Sequence, residues 1–175
     1  YQSKKGSIDK PILKVINLIN KKDNFYTTSS CSGRILLYTK KQNAKKNELT
    51  WIFASHTKIT LKQLKEHLKV IPKEQLWLTQ DSFILHICCK TLEDANTLLE
   101  LAQTNGFKKT SLITLKRFII EINYTPKMIT LIGEKSKLLV NDEFLKAWIK
   151  QANSNLENNF KKIKILEKVV KELKD

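Results

Sequence analysis

The sequence has 175 residues, enough for one domain or for one domain carrying a helical appendage. Hydrophobic residues make up 41% and charged residues 28%, which excludes a disordered or membrane-embedded chain, and no apolar run approaches the ~18 residues a spanning helix needs. Lys+Arg 32 against Asp+Glu 17 leaves a net charge of +15, which draws polyanions, nucleic acid first among them.

In chain order, Ser7 is placed to cap a first helix. Its apolar positions Ile8, Ile12, Val15, Ile16 and Ile19 follow at helical spacing, with Pro11 in the first turn and a stop near Lys21–Asn24. Strand-like runs come next at Phe25–Thr28, Ile35–Lys40 and Thr50–His56. The stretch Ser29–Arg34 between the first two reads as a tight turn, and Lys41–Glu48 as a polar loop. Thr60 caps a second helix with an apolar face of Leu61, Leu64, Leu68 and Ile71, ending at Pro72. Gln75–Thr79 and Ser82–Cys89 read as a hairpin turning at Gln80-Asp81. Thr91 caps a third helix with Leu92, Ala95, Leu98, Leu99 and Ala102 on one face and Gly106 as its stop. Strand runs follow at Ser111–Lys116, Phe118–Tyr124, Lys127–Ile132 and Lys137–Val140. From Asn141 or Asp142 a helix free of Gly and Pro extends to the end of the sequence, about 50 Å at 1.5 Å per residue. Its lysine-rich second half, Lys161–Asp175, is read as lying on the domain, with projection and a coiled-coil dimer as the other reading. The expected class is α+β: a single domain over 1–175 with a mainly antiparallel sheet flanked by helices and the long C-terminal helix over 141–175.

Several chemistries are excluded by what is missing. The four glycines, Gly6, Gly33, Gly106 and Gly133, form neither a GxGxxG fingerprint nor a phosphate loop, so a Rossmann-type site is disfavoured. His56, His67 and His86 lie far apart and no Cys/His cluster has zinc spacing, so no metal is expected; His67 reads as solvated. Cys31, Cys88 and Cys89 form no even framework and read as reduced thiols of a cytoplasmic protein.

The densest polar cluster is Tyr26-Thr27-Thr28-Ser29-Ser30-Cys31-Ser32-Gly33-Arg34, with six hydroxyl side chains between positions 26 and 32. Gly33 can take a positive φ that lets backbone N–H groups converge on an anion. Among the 32 basic residues only Arg34 and Arg117 are arginine. In a chain this biased toward lysine, those two positions are the candidates for bidentate or planar recognition. His56 ends one strand and His86 lies inside another; each reads as a core or edge histidine or as a general base. Cys31 reads as a small packed residue, with a nucleophile as the alternative.

Lys5-Gly6-Ser7-Ile8-Asp9, the segment Tyr26–Ile35, Ser55-His56 and Phe83-Ile84-Leu85-His86 resemble, in that order, the signatures of the wybutosine-synthesis methyltransferases, the third-step family of tRNA(Phe) wybutosine assembly. The resemblance extends through Thr91–Phe107 to Ala152-Asn153. After the third helix it departs: Gly106-Phe107-Lys108-Lys109-Thr110-Ser111 lacks the second glycine typical of the family. The resemblance implies a non-Rossmann fold. It also implies methyl transfer from S-adenosylmethionine to N4 of the tricyclic wyosine-type base 3′ of the anticodon. The partner is then the tRNA(Phe) anticodon stem-loop, tracked by the lysines, with Trp51, Trp77 and Tyr26 as candidate stacking platforms. His86, or else His56, would take a proton from the acceptor nitrogen. Asp9 would hold the cationic end of the cofactor or orient a histidine, and Ser29, Ser30, Ser32, Gly33 and Arg34 would bind the methionine carboxylate or a phosphate. The protein is expected to act as a monomer or weak dimer. A non-catalytic basic RNA-binding protein is the alternative.

Overall fold

The computed structural model describes residues 8–41 and 49–173. In chain order the elements are α1 (Lys10–Ile19), β1 (Phe25–Cys31), β2 (Arg34–Lys40), β3 (Thr50–Ser55), α2 (Leu61–His67), β4 (Gln75–Asp81) and β5 (Ile84–Cys89). They continue with α3 (Leu92–Thr104), β6 (Ser111–Thr114), β7 (Ile119–Asn123), β8 (Met128–Glu134), β9 (Lys137–Leu138) and α4 (Asp142–Glu172). All strand pairs are antiparallel, as the α+β reading expects, but they form two sheets rather than one. Two compact units result: unit one comprises Tyr1–Ser32, Ser82–Thr125 and Asn158–Asp175, and unit two Gly33–Asp81 and Pro126–Glu157.

Unit one carries a four-stranded sheet in the order β1-β5-β7-β6. One face is packed: Phe25, Leu85, Ile87, Ile120 and Ile122 lie in a single cluster with Ile12, Val15, Ile16 and Ile19 of α1 and Ala95, Leu98 and Ala102 of α3. Ile163, Leu166, Val169 and Val170 of α4 join the same cluster, so the lysine-rich end of that helix packs on unit one and does not project. Phe83 and Phe107 meet edge to face at 5.9 Å inside it. Unit two carries a five-stranded sheet in the order β3-β2-β4-β8-β9. Its buried side chains include Ile35, Leu37, Leu76, Leu78 and Ile132, together with Leu145, Ile149, Ala152 and Leu156 of α4.

The helix ends follow from local chemistry. Thr60 with Gln63, and Thr91 with Asp94, form reciprocal capping boxes at the starts of α2 and α3. Gly106, at φ +90°, ends the third helical segment. Two expectations shift. Helix α2 stops at His67, well before Pro72, because the Leu68 N–H turns to the Lys65 carbonyl in a tight final turn. Helix α1 begins at Lys10 with Asp9 in the cap position, and Ser7 lies outside the described residues, as does most of the Lys41–Glu48 loop.

The larger corrections concern strands. Ser29, Ser30 and Cys31 are strand, paired with β5 after a bulge between Thr27 and Ser29, so the turn between β1 and β2 is only Ser32-Gly33. Gly33, at φ +92°, alone supplies the conformation that turn requires. Nor do Gln80-Asp81 turn a hairpin: both are committed to β2, opposite Ile35 and Arg34, while β5 pairs with β1 and β7.

Where β1 and β5 part, an asparagine replaces the ladder. Cys31 pairs with Ile84, and Ser32 and Phe83 would form the next rung. Instead the fully buried Asn159 of α4 donates from Nδ2 to the Ser32 carbonyl and accepts the Phe83 N–H at 2.9 Å. Truncating Asn159 to alanine strands two buried backbone groups, and each such loss costs roughly 1–3 kcal/mol. Urea unfolding of Asn159→Ala is expected to show a loss of about 3 kcal/mol. A loss below about 1 kcal/mol would mean that the amide does not hold this junction.

Candidate active site

Asp9, Ser29, Ser30, Ser32 and His86 belong to unit one; Gly33, Arg34 and His56 belong to unit two. In unit one, Asp9 stands at the N-cap of α1 but does not cap it. Its buried carboxylate accepts the Ser32 N–H at 2.9 Å and the Ser32 hydroxyl at 3.2 Å. The backbone donors that the polar cluster was expected to offer an external anion are thus partly used on the chain's own carboxylate. Further along β1, the bulge puts Ser29 opposite His86, His86 opposite Glu121 and Glu121 opposite Ser111, one polar row across four strands. Ser30 pairs with Leu85, and so shares the face that carries the core.

The row is electrostatically closed on itself. His86 Nε2 lies 2.8 Å from Glu121 Oε2, with both side chains about one quarter exposed. A carboxylate only accepts, so Nε2 carries a proton and donates it to Glu121. The other Glu121 oxygen accepts from the Asn123 amide at 2.7 Å. Glu121 is the residue that sequence reasoning missed. A charged side chain alternating with isoleucines in Ile119–Asn123 marks the solvent-side face of a strand, but the partner is set by register, which the sequence does not print.

In unit two, Arg34 is held on two sides. Its guanidinium lies over the Trp51 ring at 4.6 Å, and its Nε donates to Asp81 at 3.3 Å. Asp81 also pairs with Lys127 at 3.2 Å. The Arg34 Nη groups make no hydrogen bond among the described residues, so an oriented fork of donors remains. Trp51 is therefore a support for Arg34, and Trp77 is half-buried in β4. His56 donates from Nδ1 to the Gly33 carbonyl at 2.9 Å, because a carbonyl can only accept. The Gln80 side chain is fully buried; its oxygen takes the Asn155 amide at 2.8 Å while its Nε2 has no acceptor among the described residues. His67 is exposed, as expected, and stacks on Phe53 at 4.7 Å. A cleft of about 430 Å³ lined by Leu138, Leu139, Val140, Asn141 and Phe144 contains none of the candidate residues.

The family described as Methyltransferase TYW3 matches residues 1–172. The chain belongs to that family. It is therefore a methyltransferase, and its two antiparallel sheets are a non-Rossmann solution to methyl transfer. A Pyrococcus furiosus relative named tRNA(Phe) 7-((3-amino-3-carboxypropyl)-4-demethylwyosine(37)-N(4))-methyltransferase 1 is 37% identical over 166 residues, covering 94% of this chain and 85% of the relative. A Methanocaldococcus jannaschii protein named as the same kind of methyltransferase is 36% identical over 157 residues, covering 88% of this chain and 81% of its own. Among solved structures, the PH1069 protein of Pyrococcus horikoshii superposes with a TM-score of 0.87 at 35% identity, covering 95% of this chain and 87% of that one.

The thiols of this family member differ sharply in environment. Cys31 is partly exposed, whereas Cys88 and Cys89 are buried. Burial, then the neighbouring Cys88, push the Cys89 thiol up from 9.0 to about 12. The unfolded chain then releases this proton first, so the raised value leaves stability unchanged below pH 9 and erodes it above, by about 1.4 kcal/mol per pH unit. At pH 8 a disulfide-exchange reagent is expected to titrate Cys31 rapidly and to reach Cys88 and Cys89 only after denaturant is added. Rapid labelling of all three in the folded protein would contradict this environment.

Proposed function

We propose that this chain transfers the methyl group of S-adenosylmethionine to N4 of the 4-demethylwyosine-type base that lies 3′ of the anticodon in tRNA(Phe). The observation that carries the reading is the family match across residues 1–172, joined by relatives whose names state that reaction. The net charge of +15 supports a tRNA partner, engaged through the anticodon stem-loop backbone. The same match favours an enzyme over a non-catalytic RNA-binding protein.

When bound, S-adenosylmethionine supplies an electrophilic methyl on a sulfonium, transferred by in-line displacement. The donors of this chain fit such a molecule. Arg34, braced by Trp51 and Asp81, offers two Nη groups to a carboxylate. Gln80 Nε2, in the same unit, is a buried donor with no acceptor among the described residues. In unit one the Asp9 carboxylate and Ser32 hold each other through the Ser32 N–H and hydroxyl.

The acceptor nitrogen must lose its proton as the new N–C bond forms. His86 receives it at Nδ1, with Glu121 on Nε2 holding the ring and stabilising the imidazolium that results. His56, its tautomer fixed by the Gly33 carbonyl, offers Nε2 as the other base. Beyond proton transfer the protein aligns the reactants and excludes water.

The test is single-turnover methylation read by nucleoside mass spectrometry, using tRNA(Phe) from cells blocked at the demethylated intermediate. The parent protein is expected to add one methyl only when S-adenosylmethionine is present. His86→Ala is expected to lower the rate by about 10²-fold, within the range general bases contribute. A fall of less than about tenfold would remove His86 as the base, and the parallel His56→Ala variant would then show whether that histidine carries the role.

A further inference from the structure

Of the two arginines, Arg34 is absorbed into the Trp51–Asp81 arrangement and Arg117 is not. Arg117 sits in the turn between β6 and β7, exposed, with its guanidinium in no ion pair among the described residues. The turn is fixed from beneath: Cys88 Sγ donates to the Arg117 carbonyl at 2.9 Å, and the Cys89 N–H to the Phe118 carbonyl at 3.1 Å. Cys88 is the rung partner of Tyr26 on one side and of Ile119 on the other. Tyr26, Cys88 and the Arg117 turn therefore occupy one end of the sheet face opposite the core of unit one. The Tyr26 ring is 52% exposed. Hydrogen bonding to Cys88 raises its phenol above the usual range, against a smaller opposing pull from Arg117.

The face has the composition of a nucleic-acid platform. Exposed Leu115 and Ile113 adjoin Lys116 and Arg117 in the same strand and turn, and exposed Lys90 follows β5 directly. The carboxylate in the adjacent row, Glu121, already has its oxygens on His86 and Asn123. Single-stranded RNA is recognised by stacking unpaired bases on aromatic rings and guanidinium planes, with cations on the flanking phosphates. An apolar protein partner would not call for cations interleaved at this density.

We propose that the Tyr26–Arg117 end of this sheet face is where an unpaired nucleotide of the RNA substrate stacks, its base on Tyr26 and its flanking phosphate on Arg117. The inference rests on the proposed tRNA substrate for its choice of nucleic acid. It places the stacked nucleotide two rungs along the ladder from His86.

The probe is a fluorescently labelled RNA hairpin with an unpaired loop, compared with a fully paired duplex of the same stem, by anisotropy titration over a range of salt. Tyr26→Ala is expected to weaken hairpin binding about tenfold, as loss of one base stack does, and to leave duplex binding within about twofold. Tyr26→Phe keeps the ring and is expected to bind as the parent does, which separates stacking from misfolding. Arg117→Ala is expected to reduce the slope of log affinity against log salt by about 0.7–0.9, the value of one phosphate contact. Hairpin binding within about twofold of the parent for both alanine variants would overturn the proposal, as would equal losses for hairpin and duplex in Tyr26→Ala. Loss of hairpin binding in Tyr26→Ala, with no methylation of blocked tRNA(Phe) by the parent protein, would uphold the platform and overturn the proposed reaction. Unchanged hairpin binding alongside active methylation would do the reverse.

Discussion

The end of the β1–β5 ladder in unit one depends on a side-chain amide that takes the place of a strand rung. At Ser32 and Phe83 the β1–β5 ladder would add another rung, and Asn159 takes both of its hydrogen bonds. Without that amide, two buried backbone groups would have to find each other or water, and either course moves Ser32. The position of Ser32 in turn fixes Asp9, whose carboxylate holds its N–H and hydroxyl. In unit two Asn153 does a related job, matching both the N–H and the carbonyl of Ile59 at 3.0 and 2.8 Å. Helix α4 thus positions loop and strand ends with side-chain amides as well as with apolar packing.

The polar groups that emerge are oriented in advance. Each histidine has one ring N–H directed at an acceptor, Glu121 for His86 and the Gly33 carbonyl for His56. The guanidinium of Arg34 is likewise committed on its Nε and its ring-facing plane, with only the forked end left to donate. Methyl transfer from a sulfonium asks little covalent chemistry of a protein. Groups held in one orientation before the reactants arrive are the contribution a small two-sheet fold can make.

Most elements were legible because their signals are local. Apolar spacing marked the four helices, and Thr60 and Thr91 marked two starts whose capping boxes the structure contains. Pairing is not a local property, which is why a tight turn over Ser29–Arg34 and a hairpin at Gln80-Asp81 were expected where the chain instead changes sheets, at Ser32-Gly33 and at Asp81-Ser82. Ser29–Cys31 were read as turn because serine is common in turns. Their ladder with β5 and the supporting Asn159 overrode that preference. The candidate cluster was visible from its hydroxyls and its single arginine. Glu121, Asp81 and Asn159 were not, since each acts through a partner 35 to 127 positions away. Asn155 and Asn159 do leave a trace in the sequence, as amides set on the apolar stripe of a helix, where a polar group has to be meeting something.

The bulge in β1 has a consequence for how this chain can change in length. Thr28 is the residue without a rung, and the pairings resume at Ser29 opposite His86 as if it were not there. Removing it would leave each later β1 residue on its present face and would straighten the strand. From Ser29 to Cys31 the opposite holds: one residue gained or lost would exchange core-facing and open positions from there to the sheet exchange. Substitutions in this segment act on single side chains. Insertions and deletions act on all of them together, so length is the more constrained quantity there and Thr28 is where the strand can spare a residue.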